Sequence, residues 1–140
     1  MESKVIDKTL ILRADRGEDL LEALREACEQ HRVKLGVVTG IGAVDRAVVG
    51  AFSVETQEYT KHTYENMEME ILSFVGNIST MNGEYYGHIH ATVGLPDGTA
   101  VGGHANELRI SATSEVFVQI IQGEVDRALD ERVGLNTIRF

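Results

Sequence analysis

Three of the chain's five histidines lie close together in the segment GHIHATVGLPDGTAVGGHA, residues 87–105. Side chains alternate between the two faces of a strand, so His88 and His90 share one face, with Cα atoms about 6.6 Å apart. The PDG turn is centred on Asp97, which lies midway between His90 and His104. A hairpin at this turn would bring His104 back beside the other two histidines. The spacing therefore predicts a metal site with three nitrogen ligands.

Such a site leaves at least one coordination position open, as catalytic zinc sites do. Zinc is the first choice of ion, and iron, nickel, manganese and copper are alternatives because imidazole binds several divalent ions. Gly102 and Gly103 would let the backbone approach the ion closely. Taken singly, strand histidines are ordinary hydrogen-bonded or exposed residues, and we interpret His31 and His62 in this way, as helix-face and loop residues. Cys28 is the only cysteine, which excludes a disulfide framework and a cysteine zinc ribbon.

Acid–base chemistry at the open position would need a carboxylate near the histidines. The candidates closest in sequence are Glu84, Glu107 and Glu115, although most surface glutamates are simply solvated. An arginine such as Arg109 or Arg13 could hold an anionic substrate. The alternative for either arginine is a surface ion pair, which contributes little.

Composition limits the classes of partner. No run of eighteen apolar residues exists and the N-terminus lacks the apolar core of a signal peptide, so we expect a soluble, cytoplasmic protein with no membrane segment. The formal net charge is −9, and the 13 lysines and arginines are scattered without a basic run. Because neutralisation of phosphates dominates binding to nucleic acids, this charge disfavours DNA as a direct partner.

The elements that position the histidines can be read from hydrophobic periodicity. Residues 4–13 are strand-like, and Asp15 with Glu18 resembles a capping box, with Gly17 as an alternative cap. An amphipathic helix follows, whose apolar positions are Leu20, Leu21, Leu24, Ala27, Cys28 and His31. Cys28 is interpreted as a small core residue.

From residue 33 onward the pattern predicts strands, in the segments 33–44, 47–54, 67–79, 88–95, 99–103, 114–122 and 136–140. A short second helix is possible at 124–133, with Val125, Ala128, Leu129 and Val133 on one face. The glycines of TGIGAV do not lead into a helix, so they predict a bend or bulge and not a dinucleotide-binding turn. The fold class is α+β: a mostly antiparallel sheet with one main helix packed on it, as a single domain over residues 1–140.

The ordered set LILRADRGEDLLEAL, VTGIGAV, EMEILSFVGNIS, HIHATVGLPDGTAVGGH and TSEVFVQ resembles the "plants and prokaryotes conserved" (PPC) domain. The resemblance extends from about Lys4 to Phe140. It implies an α+β fold assembled as a homotrimer, in which His88, His90 and His104 bind a metal, with zinc as the expected ion. The apolar residues on both faces of SEVFVQII agree with burial in an oligomer.

The resemblance also implies a role in DNA binding. In plant members, however, the segments that enter the DNA minor groove are AT-hooks, which this chain lacks. Three hypotheses follow. The domain is a metal-binding regulatory module that binds DNA or a protein; or a metal-dependent enzyme of hydrolase or lyase type acting on a small polar metabolite; or a trimer clamped by a purely structural metal. The first is preferred and the enzyme is the alternative. No cofactor other than the metal is expected.

Overall fold

Strands make up most of the chain, because β-branched and apolar residues dominate the segments after residue 33. The computed structural model describes all 140 residues. Its elements are strands β1 (Glu2–Ile6), β2 (Thr9–Asp15), β3 (Gly36–Ser53), β4 (Glu58–Met81), β5 (Glu84–Gly94), β6 (Ala100–Ile120), β7 (Asp126–Asp130) and β8 (Leu135–Ile138), and helix α1 (Leu20–Gln30). All strand pairs are antiparallel except β4 with β7. The predicted α+β class is confirmed.

Four long strands pair in a closed circuit. β3 pairs with β4, β4 with β5, β5 with β6, and β6 again with β3. Closure removes most of the free edges that would otherwise invite aggregation. It also holds β5 between two partners, and β5 carries two of the three histidines.

One face of this sheet is the core. Phe74 and Val118 are fully buried in one cluster with the apolar stripe of α1, in which Leu20, Leu24 and Cys28 have no exposed surface. Burial raises the pKa of the Cys28 thiol to about 12, so it is an inert core group as predicted.

The opposite face is apolar and exposed. Val37 and Ile41 of β3 are 51% and 60% exposed, and Val75 of β4 and Phe117 of β6 are 45% and 44% exposed. Val75 lies directly opposite His90, so the histidines share this side of the sheet. We call Val37, Ile41, Val75 and Phe117 the apolar face.

The helix begins one turn later than its predicted caps. Asp19 is the N-cap, and its Oδ1 accepts hydrogen bonds from the backbone N–H of Leu21 and of Glu22, both at 3.0 Å. Its Oδ2 accepts from the N–H of Leu108 in β6 at 2.9 Å. Asp15 and Gly17 are therefore not caps. Asp19 caps the helix, and the same side chain connects the helix to β6 by a hydrogen bond. With 11 residues, α1 is too short to cross a membrane.

The C-terminal segment corrects a second prediction. The possible helix at 124–133 is absent; in its place β7 and β8 form a hairpin, and β7 pairs with Thr80 and Met81 at the end of β4. Gly134, with φ of 71°, closes the turn between them. Pairing with the sheet outweighs a weak helical pattern of four apolar positions.

Three smaller differences concern strands. Residues 4–13 contain parts of two strands, β1 and β2, which turn at Asp7 with φ of 52°. The segments 33–44 and 47–54 join in β3, and 99–103 and 114–122 join in β6. The predicted irregularity at the TGIGAV glycines is confirmed, because the β3 register shifts between Gly40 and Gly42.

Candidate metal centre

The hairpin between β5 and β6 brings the three histidines together. The turn closes at Leu95, whose N–H donates to the carbonyl of Thr99 at 2.8 Å, and Asp97 accepts the Thr99 N–H at 2.8 Å. His90 and His104 are consequently direct cross-strand partners. The predicted hairpin is confirmed, and its symmetry about the turn determines which residues face one another.

The three imidazoles converge on one point. One ring nitrogen from each of His88, His90 and His104 lies within 4.8 Å of the other two. The ring centroids are 5.2 to 5.6 Å apart, and the Nε2 atoms of His88 and His90 are separated by 3.3 Å. Two ligands of one ion, each about 2.0 to 2.1 Å from it, are separated by about 3.3 Å in tetrahedral geometry.

Glycines permit the close strand contacts behind this cluster. A Cβ at Gly103 would lie 2.4 Å from the carbonyl oxygen of Gly50, and one at Gly102 would lie 2.5 Å from that of Ala91. The structural reason for these two glycines is therefore the approach of neighbouring strands. The close strand contacts are sufficient to explain Gly102 and Gly103, without an approach of the backbone to an ion.

Partial burial favours the metal-binding form of two imidazoles of the cluster, His88 and His104. Desolvation lowers the pKa of His88, and the guanidinium of Arg127 lowers it further. Desolvation also lowers the pKa of His104, with a smaller contribution from His90. Both imidazoles are thus neutral at pH 7, with lone pairs available for a cation.

These shifts predict a pH-dependent stability of the metal-free protein. The pKa values of His88 and His104 are lowered in the folded chain and return to about 6.5 on unfolding. The unfolded chain then binds more protons below about pH 7, so stability should rise with pH from about pH 5 to 7 and then level off. Urea midpoints across this range measure the effect. The double variant His88→Ala/His104→Ala should show a shallower slope, and equal slopes would contradict the assignment.

A pocket of about 780 Å³ opens over the histidines. Its polar lining, besides the three imidazoles, consists of Tyr59, Asn77, Tyr86, Arg127, Asn136 and Thr137. Phe52, Leu135 and Ile138 supply apolar surface, and no aspartate or glutamate lines the pocket. The volume lies in the range of small-molecule sites.

The glutamates proposed as acid–base candidates lie outside this lining. Glu84 is the first residue of β5, paired with Met81 beside the turn. Glu107 accepts a hydrogen bond from Arg46 Nε at 2.8 Å, and Glu115 lies eleven positions after His104 on β6. The structure therefore does not bring them to the histidines, and they stay sequence-based candidates.

The arginines proposed as anion binders are also elsewhere. Arg109 Nε donates to Asp45 at 2.6 Å, and Arg13 pairs with Glu2 and Asp15, so both form surface ion pairs. The arginine that does line the pocket is Arg127, which no motif in the sequence marks as a site residue.

The two remaining histidines lie apart from the cluster. His31 ends α1, with Nε2 3.0 Å from Ser3 Oγ. His62 is an exposed residue of β4 opposite Val49, and not a loop residue as predicted.

Fold and pocket together define a class of protein: a small domain built on a closed sheet, with a three-histidine cluster in a pocket on its exposed face. The chain belongs to the Plants and Prokaryotes Conserved (PCC) domain family, the PPC domain named above, whose model matches residues 1–122. No protein of curated function shows significant sequence similarity to it.

Solved structures agree with this assignment. A "putative dna binding protein" from Bacteroides thetaiotaomicron is 29% identical with a TM-score of 0.95, over 99% of this chain and 96% of that one. A metal-containing protein from Archaeoglobus fulgidus is 36% identical with a TM-score of 0.89, over 99% and 97%. A plant- and prokaryote-conserved protein from Pyrococcus horikoshii is 25% identical with a TM-score of 0.86, over 96% and 92%.

Proposed function

We propose that this domain binds a divalent metal ion through His88, His90 and His104, with zinc as the preferred ion. The observation that carries the proposal is the convergence of three ring nitrogens within 4.8 Å of one another. The metal-containing relative from Archaeoglobus fulgidus supports it. Elemental analysis of untagged protein tests it, and about one ion per chain is the expected result.

The donor set fits such an ion. Two of the three imidazoles have lowered pKa values, which reduces the competition of protons with the metal ion at neutral pH. Three nitrogen donors without a protein carboxylate leave room for an exogenous ligand. When bound, the ion would supply Lewis-acid polarisation of an oxygen on that ligand.

The domain also assembles with copies of itself under this proposal, as a homotrimer. The apolar face supports this, because four large side chains that are 44% to 60% exposed lie on one side of a sheet. Exposed apolar patches of this kind mark interaction sites in soluble proteins.

Sedimentation velocity tests the assembly. At micromolar concentration the wild type should sediment as a species of about 46 kDa, three chains of 15.4 kDa. Phe117→Asp should shift the population toward monomer, because a charge desolvated in an apolar interface is costly. The matched control is Val54→Asp, at an apolar residue of similar exposure (49% against 44% for Phe117) that is not part of the apolar face. A wild-type monomer, or equal sedimentation of the two variants, would reject the proposed interface.

As a metal-binding regulatory module, the domain would bind DNA or another protein, and DNA is the less favoured of these two partners. The similar structure from Bacteroides thetaiotaomicron is described as a "putative dna binding protein", but the net charge of −9 opposes binding to a phosphate backbone. A salt titration distinguishes binding to DNA from binding to a protein, because a complex that depends on phosphate contacts weakens steeply as the salt concentration rises.

A single domain over residues 1–140 and a cytoplasmic location remain predictions from the sequence.

A metal-dependent enzyme acting on a small polar metabolite is the second candidate function. The pocket of about 780 Å³ directly over the histidines favours it, since a purely structural metal needs no such space. Tyr59, Tyr86 and Thr137 supply the hydroxyl groups in that pocket. Screening the metal-loaded protein for hydrolase and lyase activity tests this candidate, and His88→Ala should abolish any activity found.

A further inference from the structure

Arg127 is the only charged residue in the buried part of the chain. It is 6% exposed. None of the eleven salt bridges includes it, although Arg13, Arg25, Arg46, Arg109 and Arg132 all pair with carboxylates. A buried charge is unfavourable unless it is paired, so the absence of a carboxylate partner at this position requires an explanation.

Neutral groups hold the guanidinium in place. Its Nε donates to Ser79 Oγ at 2.8 Å, Nη1 to the carbonyl of Asn136 at 2.8 Å, and Nη2 to Asn77 Oδ1 at 2.9 Å. The guanidinium also lies over the ring of Tyr86, 4.9 Å from its centroid. An arginine has five N–H groups, so one on each terminal nitrogen has no protein acceptor. A carboxylate accepts hydrogen bonds from two such N–H groups when it forms a bidentate ion pair with arginine.

The pocket places this cation beside the histidines. Asn77, which orients Nη2, is the cross-strand partner of His88. The lining therefore contains one arginine and three imidazoles, and no acidic side chain. With an ion bound, the positive charge of the pocket would rise further with nothing in the protein to balance it.

We propose that Arg127 binds the carboxylate of a small organic anion whose second oxygen group faces the three-histidine centre. The inference rests on the proposed metal site and specifies the class of ligand that would occupy it. A dicarboxylate or hydroxycarboxylate fits the volume of about 780 Å³, and its charge supplies the missing partner of the guanidinium. Arg127 lies outside residues 1–122, so the selectivity resides in a segment that the family model does not cover.

Calorimetric titration of the metal-loaded protein with succinate tests the proposal, with the uncharged diamide succinamide as the matched ligand. Wild type should bind succinate and not succinamide. Arg127→Gln should weaken succinate binding about ten- to hundredfold, because a charge-assisted pair is lost, while metal content stays at the wild-type level. Arg109→Gln, which removes an exposed arginine outside the pocket, should bind succinate as wild type does.

Each outcome has a separate meaning. Equal succinate affinity in wild type and Arg127→Gln, or no succinate binding by the loaded wild type, overturns the proposal. Loss of metal from Arg127→Gln also overturns it, since Arg127 would then only support the histidines. If the wild type takes up no metal yet binds succinate through Arg127, the anion site stands and the metal proposal fails.

A second measurement covers the case in which Arg127→Gln does not fold. Succinate should then raise the melting temperature of the wild type more than succinamide does. Arg127→Lys should lose most of that difference, because a lysine cannot form a bidentate ion pair with a carboxylate. Equal stabilisation of the wild type by both compounds would overturn the proposal.

Discussion

Replacing His88 and His104 together by alanine should lower the metal content of the purified, untagged protein from about one ion per chain to below about one tenth. One imidazole remains in this variant, and a single neutral nitrogen ligand does not retain a divalent ion through purification. Elemental analysis at equal protein concentrations measures the change. The effect should be the largest of any substitution that leaves the fold intact, because the two side chains are only partly buried.

The matched control is His31→Ala/His62→Ala, which removes the same number of imidazoles from outside the cluster. This variant should keep the metal content of the wild type. Equal metal content in the two double variants would show that the ion, if present, binds elsewhere. No metal in the wild type after incubation with zinc would contradict the three-histidine centre itself.

Replacing Gly76 by alanine should destabilise the protein by about 3 kcal/mol or more and remove metal binding. A Cβ at this position would lie 2.0 Å from the carbonyl oxygen of His88, in the backbone of the neighbouring strand. Two residues after His88, His90 is paired with β6 as well as with β4, so β5 cannot shift away from Gly76 without straining the closed circuit of strands. Urea unfolding measures the stability, and elemental analysis of the folded fraction measures the metal.

Gly83→Ala is the control for this prediction. Gly83 lies in the turn between β4 and β5 with φ of 80°, and an added Cβ there meets nothing within 4 Å. The substitution should cost about 1 kcal/mol, from backbone conformation alone, and should leave the metal content unchanged. Similar losses at the two positions would mean that the contact at Gly76 is relieved by a small strand movement.

The histidine cluster could be predicted from the sequence because its determinants are local. Alternation along one strand places His88 and His90 on one face, and a turn signal midway between His90 and His104 sets the register of the hairpin. The apolar stripe of the helix and its buried Cys28 follow from periodicity in the same way.

Arg127 could not be predicted in this way. The helical pattern at 124–133 places Leu129 on the apolar face and leaves Arg127 off it, yet Leu129 is 58% exposed and Arg127 is 6% exposed. Arg127 is buried in place of Leu129 because β7 pairs with the end of β4, which lies far away in the chain. Local propensity carries no information about such a contact.

The helix cap likewise depends on a contact between distant segments of the chain. The sequence predicted a cap at Asp15 or at Gly17, but the residue that caps the helix is Asp19. Only the structure selects Asp19, because its second carboxylate oxygen accepts the N–H of Leu108 in β6. The sequence by itself therefore determined the sheet, the helix and the three-histidine face, whose spacing depends on strand alternation and one turn. The tertiary structure alone decided the cap and the buried arginine, because each depends on pairing between distant segments.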